Sequence, residues 1–132
     1  KLAALGFDVL FQCVVGDNPE RLKEVLKEGL ERADIIITTG GLGPTKDDLT
    51  KEVCASMFSL PLEMHEESLK RVHDYFKAKN APMPKSNEKQ ALMPHGAVVF
   101  KNENGTAPGC AIEKDGKHII ILPGPLRFLP LR

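Results

Sequence analysis

Charge of one sign is missing from this chain: 18 Lys and Arg offset 18 Asp and Glu. A nucleic-acid binder needs a basic footprint, and nothing here supplies one. No apolar run approaches the ~20 residues of a membrane span, and no secretory leader pattern is present. Cysteine is sparse. Cys13, Cys54 and Cys110 lie far apart with no C-x-x-C spacing, which excludes a sequence-readable disulfide framework or thiolate metal site and fits a reducing cytoplasm. His65, His73, His95 and His118 are scattered without ligand spacing. There is no internal repeat and no low-complexity tract. What remains is a chain of 132 residues, 42% hydrophobic and 27% charged, the size and composition of one domain with its own core.

The most informative stretch runs from Ile35 to Asp48. Three β-branched residues and two threonines, Ile35 to Thr39, read as a buried strand. Gly40-Gly41 then lets the chain turn without a Cβ penalty. From Asp48 the pattern Leu49-Thr50-Lys51-Glu52-Val53 opens a helix. Strand, glycine-rich turn and helix N-terminus together form an anion-binding arrangement, with amides and the helix dipole facing one ligand. Asp47 and Asp48 would repel a bare phosphate, so the pair points to a metal-bridged or water-activating role. A local alternative stays open: Thr45 or Asp47 caps the helix, and the two aspartates offset its dipole.

Along the chain, Phe7 to Val15 is apolar on both sides and predicts a strand in a sheet covered on both faces. Asn18, Pro19 and Glu20 predict a helix start as cap, first position and dipole partner. That helix runs to about Ala33, with Leu22, Val25, Leu26, Leu30 and Ala33 inward. Strand, helix and strand up to Thr39 then predict a parallel βαβ unit, whose ligands bind beyond the strand ends. Further helices are expected from Leu49 to about Leu60 and from His65 to Lys79, the second burying Leu69, Val72, His73 and Phe76. Asn80 to Ser86 is a proline-bearing loop. Late strands are expected at Gln90–Met93, Ala97–Phe100, Ala107–Ile112 and Lys117–Leu122, with a hairpin turn at Glu113 to Gly116.

Thr39-Gly40-Gly41-Leu42-Gly43-Pro44-Thr45-Lys46-Asp47-Asp48-Leu49-Thr50 resembles the signature of the molybdopterin-binding (MoaB/MogA-like) domain, in the version typical of the N-terminal domain of the CinA family. Asn87-Glu88-Lys89-Gln90-Ala91, Asn104 to Gly109 and Leu122-Pro123-Gly124-Pro125 match that domain in order and spacing. The resemblance implies a three-layer α/β/α fold with a mixed, mostly parallel sheet over residues 1–132. Its pocket would lie at Gly40–Asp48, walled by Gly105–Gly109 and Pro123–Pro125.

In the CinA family this domain is associated with metal-dependent cleavage of ADP-ribose to AMP and ribose 5-phosphate. A nicotinamide-nucleotide amidase activity belongs to a separate C-terminal domain. In the MogA-like branch the ligand is molybdopterin, and the aspartate aligned with Asp48 acts in its adenylylation. On this basis Gly40, Gly41 and Gly43 are expected to hold a diphosphate. Asp48, assisted by Asp47, would bind Mg²⁺ or Co²⁺ or orient water. Thr45 and Thr50 would supply hydroxyls, and Gly105, Thr106, Gly109 and Gly124 would complete the wall. Asn87 and Gln90 either read a base or pterin edge or tie down backbone. The expected partners are a small nucleotide or pterin phosphate and further copies of the chain; the alternative is a non-catalytic binding or assembly module.

The sequence departs from the family at both ends. Lys1 to Gly6 looks like the last turn of a helix, so the family's first strand and its pocket turn are expected upstream. After Pro125, where the family continues Pro-x-Glu-Met, Phe128 stands in the place of the acid. An apolar ring neither binds metal nor accepts a proton.

Overall fold

Asn18 opens helix α1 (Pro19–Arg32) as expected: its side chain accepts a hydrogen bond from the Arg21 amide at 2.9 Å, with Pro19 behind it. A cap of this kind stabilises a helix by about 1 kcal/mol. The computed structural model describes residues 2–124; Pro125 and Phe128 lie outside the described residues. Strand β1 (Ile35–Thr39) follows α1 directly. Next come α2 (Thr50–Met57), β2 (Leu62–Met64), α3 (Glu66–Ala78), a 3₁₀ segment (Lys85–Ala91) and β3 (Leu92–Pro94). The chain then forms β4 (Val98–Phe100), β5 (Gly109–Lys114) and β6 (Lys117–Leu122).

The fold is α/β with a mixed sheet in the order β1-β6-β5-β4. β1 runs parallel to β6, with Ile35 opposite His118 and Thr39 opposite Leu122. The β6–β5 and β5–β4 pairings are antiparallel. The hairpin joining β5 to β6 turns at Asp115 and Gly116, both at positive φ (53° and 76°), the conformation a two-residue hairpin requires. β2 and β3 form a separate antiparallel pair.

One face of the sheet holds the core. Ile119 and Ile121 of β6 and Cys110 and Ile112 of β5 pack with Leu26 of α1 and with Val53, Cys54 and Phe58 at α2. Each large aliphatic side chain buried in this way stabilises the fold by roughly 1.5–3 kcal/mol. Burial pushes the Cys54 thiol up to about 12 and the Cys110 thiol up to about 11, so both are inert apolar fillers. Of the stripe expected on α3, Val72 is buried, Leu69 and Phe76 are half-buried, and His73 is exposed.

The strand expected at Phe7–Val15 does not form. The segment is irregular and exposed, Val14 to 96%, and Cys13 with it. The βαβ unit expected there is absent, and the parallel neighbour of β1 is β6 instead. The physical reason is the ladder: alternation gives a segment the propensity for a strand, but a strand persists only against a paired edge. Among the described residues none pairs with this one. Its Phe11 ring instead lies under the Arg32 guanidinium, 3.8 Å from ring centre to carbon.

Candidate functional site

Register decides where the loops gather. Thr39 ends β1 opposite Leu122, which ends β6, and Cys110 near the start of β5 lies opposite Ile121. Phe100, the end of β4, is opposite Gly109. The segments 40–48, 123–124 and 101–108 therefore leave or enter the sheet at one end. This is the end at which ligands bind in sheets with parallel strands.

The β1–α2 loop is built from glycines for three separate reasons. Gly40 and Gly41 have φ of 98° and 67°, a left-handed pair that side chains resist. At Gly41 a Cβ would also run into the Thr50 hydroxyl, and at Gly43 it would lie 2.5 Å from Asp48 Oδ2. Gly124 approaches Gly40 backbone to backbone: a Cβ there would meet the Gly40 Cα at 3.2 Å. The Gly40 amide donates to the Leu122 carbonyl at 2.9 Å, which fixes the two strand exits to each other. Leu42 is buried in the core and anchors the loop from within.

Asp48 faces back into the loop. Its Oδ2 accepts from the Thr45 amide at 2.9 Å and from the Thr45 hydroxyl at 2.5 Å. Burial alone would raise this carboxyl. The hydrogen bonds from Thr45 and Gly43 and the charge of Lys89 outweigh it, so its pKa lies below the ordinary value. Asp48 is thus held ionised. The residue preceding α2 is Leu49, with no side-chain capping bond, so Thr45 and Asp47 do not cap that helix. Asp47 is exposed on the same turn. Thr50 is buried and its amide donates to the Gly41 carbonyl, which gives it a packing role against the loop.

The other expected residues divide. Asn87 and Gln90 are buried and hydrogen-bonded to each other, Nδ2 to Oε1 at 3.1 Å, so they hold the 3₁₀ segment together. Gly109 sits inside the sheet, where a Cβ would lie 2.7 Å from the Ile121 carbonyl oxygen. Gly105 and Thr106 line a cleft against α3 whose walls do not include the β1–α2 loop.

With this geometry, the chain matches over residues 1–129 the family described as a probable molybdopterin binding domain. The chain belongs to that family. It is 55% identical over 127 residues to a competence-damage inducible protein of Clostridium novyi, covering 96% of this chain and 31% of the relative. A protein of the same description from Alkaliphilus oremlandii is 52% identical over 132 residues, covering 99% of this chain and 32% of the relative. The chain therefore spans about a third of the length of these curated relatives. A crystal structure of the protein CinA with unknown function from Thermoplasma acidophilum superposes with a TM-score of 0.83 at 31% identity, over 96% of this chain and 74% of that one.

In this member of the molybdopterin-binding domain family, two lysines missed in the sequence reading hold the loop. Lys89 Nζ donates to the Thr45 carbonyl at 2.8 Å and to the Asp48 carbonyl, and pairs with Glu52 Oε1 at 3.3 Å. Lys51, only 3% exposed, donates to the carbonyls of Lys89, Gln90 and Leu92 at 3.2, 2.9 and 2.7 Å. One lysine on α2 thus clasps the 3₁₀ segment, and one lysine on that segment clasps the loop. Periodicity carried no signal for Lys51, which stands two residues from both Leu49 and Val53, about 200° round α2 from the stripe they mark.

Among the described residues no three His, Cys, Asp or Glu side chains converge as a metal cage. The donor set fits another mode. A hard cation such as Mg²⁺ is commonly held by one or two carboxylates together with phosphate oxygens and water, and Asp48 with Asp47 offers that much.

Proposed function

We propose that the β1–α2 loop binds the diphosphate of a nucleotide-type ligand, and that the full-length protein hydrolyses ADP-ribose to AMP and ribose 5-phosphate. The observation that carries this reading is the convergence of Gly40, Gly43 and Gly124 beside an ionised Asp48 at the end of the sheet. Side-chain-free backbone allows close approach of phosphate oxygens to loop amides. Lys89 adds positive charge behind the loop. Asp48, with Asp47, would hold a divalent ion, Mg²⁺ or Co²⁺, whose chemistry is to neutralise phosphate charge and lower the pKa of bound water.

The chain's own contribution is positional. Thr45 fixes Oδ2 of Asp48, the Gly43 amide also meets this carboxylate, and the Lys89 clasp keeps that geometry while charge builds on the diphosphate. In the balanced reaction one water adds across the anhydride: a P–O bond breaks, the water oxygen joins one phosphorus, and its protons pass to the products and solvent. The reading includes a cytoplasmic setting and assembly of several copies.

A second reading has a specific observation in its favour. Asp48 Oδ2 is committed to Thr45, and the described residues supply no third metal ligand, as suits a non-catalytic module that holds a pterin or nucleotide phosphate. Release of AMP from ADP-ribose with Mg²⁺ or Co²⁺ separates the two. Turnover that falls by at least about a hundredfold in Asp48→Asn supports the hydrolase. Equal turnover removes Asp48 from the mechanism, and ligand binding without turnover establishes the module.

A further inference from the structure

The glycines that open the β1–α2 loop to a ligand also leave its backbone free to change shape. Within the turn, the Asp48 amide reaches the Thr45 carbonyl only at 3.4 Å. A loop that samples several shapes binds an anion in proportion to the fraction in the competent one. A brace from outside the loop therefore sets affinity. Lys89 is such a brace: its ammonium lies on the Thr45 and Asp48 carbonyls, at both ends of that turn, with Glu52 Oε1 at 3.3 Å.

Lys89 can hold the loop only as firmly as its own backbone is held. Two helices hold it. The Lys51 ammonium of α2 has three N–H groups and meets three carbonyls, those of Lys89, Gln90 and Leu92. The Ala91 carbonyl between them accepts from the amide of His65, the cap of α3, at 2.9 Å. The Lys89 carbonyl also accepts from the Leu92 amide. Residue 89 is thus fixed at both ends, its carbonyl to α2 and its ammonium to the loop. A methionine at position 51 would fill most of the same space without burying a charge. What the ammonium adds is direction.

We propose that Lys51 is a positioning residue for the diphosphate: by fixing the 3₁₀ segment it keeps the Lys89 ammonium on the loop, and so holds the loop in the shape that receives phosphate oxygens. This rests on the diphosphate reading above. Lys51 does not itself touch the ligand; its effect on binding passes through Lys89.

Calorimetric titration of the full chain with inorganic pyrophosphate in Mg²⁺ tests it, on wild type, Lys51→Met, Lys89→Met and the double variant; circular dichroism melts check that each folds. Each single variant is expected to weaken binding about tenfold, as for loss of one hydrogen bond. The double variant should stay within about twofold of Lys89→Met, whereas independent contributions would multiply to about a hundredfold. Lys89→Arg, which keeps a cation at that place, should restore most of the affinity. Ile112→Val, a change in the core on β5, should lower the melting temperature while affinity holds within about twofold. Should Lys51→Met not fold, Lys51→Gln takes its place, with a smaller loss that is equally absorbed by Lys89→Met. Losses that multiply, unchanged affinity in a folded Lys51 variant, or an equal loss in Ile112→Val overturns the assignment. Wild-type protein that binds no pyrophosphate fails earlier, at the diphosphate reading, and takes the role of Lys51 with it.

Discussion

Replacing Lys51 with methionine keeps most of the side-chain volume and removes the ammonium that three carbonyls share. Those of Lys89, Gln90 and Leu92 lose their donor, and buried acceptors left unpaired cost about 1–3 kcal/mol each. Part of this is offset. Burial lowers the Lys51 pKa from 10.5 to about 8, which sets about 3 kcal/mol against the charged form. The net expectation is a loss of about 2 kcal/mol at neutral pH, read as a lower urea midpoint and a melting temperature lower by about 6 °C.

The same lysine makes a second, signed expectation. Between pH 8 and 10.5 the unfolded chain binds more protons at Lys51 than the folded chain does. Its contribution to wild-type stability therefore rises with pH across that window, and Lys51→Met removes the rise. Amide exchange of the 3₁₀ segment should quicken in the variant. Stability within about 0.5 kcal/mol of wild type, with unchanged exchange at residues 89–92, would refute the claim that this amine holds the segment.

Three further outcomes follow from the loop. Lys89→Met should raise the Asp48 pKa by removing a nearby positive charge, seen in a carboxyl-carbon NMR titration, and Lys89→Arg should restore most of the shift. Gly43→Ala places a methyl carbon against Asp48 Oδ2; pyrophosphate affinity should drop by about tenfold or more while the melting temperature moves by only a few degrees, as calorimetry and melts would show. Because the folded pKa of Asp48 is depressed, its stabilisation is present above the unfolded value of about 3.9 and is lost as pH falls through the folded pKa. Asp48→Asn should flatten that part of the acid unfolding curve.

Local signals carried much of the structure. The cap at Asn18, the β-branched run before Gly40 and the turn at Asp115-Gly116 each depend on a few neighbouring residues, and each element forms where the pattern places it. Phe7–Val15 shows the opposite case. Its alternation was readable, but whether it becomes a strand depends on a partner edge that no local pattern reports. The same distinction runs through the site. Gly40, Gly41 and Asp48 could be singled out because close spacing in sequence makes the turn, whereas the roles of Lys51 and Lys89 depend on contacts about 40 residues apart in the chain. Asn87 and Gln90 had two readings of equal merit. Only their mutual hydrogen bond, with both side chains out of solvent, favours the structural one.

The outer side of β1 carries no partner among the described strands, and Ile37 on that strand is 39% exposed. Phe7, Val9, Leu10 and Phe11 are open to solvent as well. An unpaired strand edge of this kind zips onto its own duplicate when crowded. Light scattering by this chain should therefore climb steeply with protein concentration, and a lysine at position 37 should keep it clear.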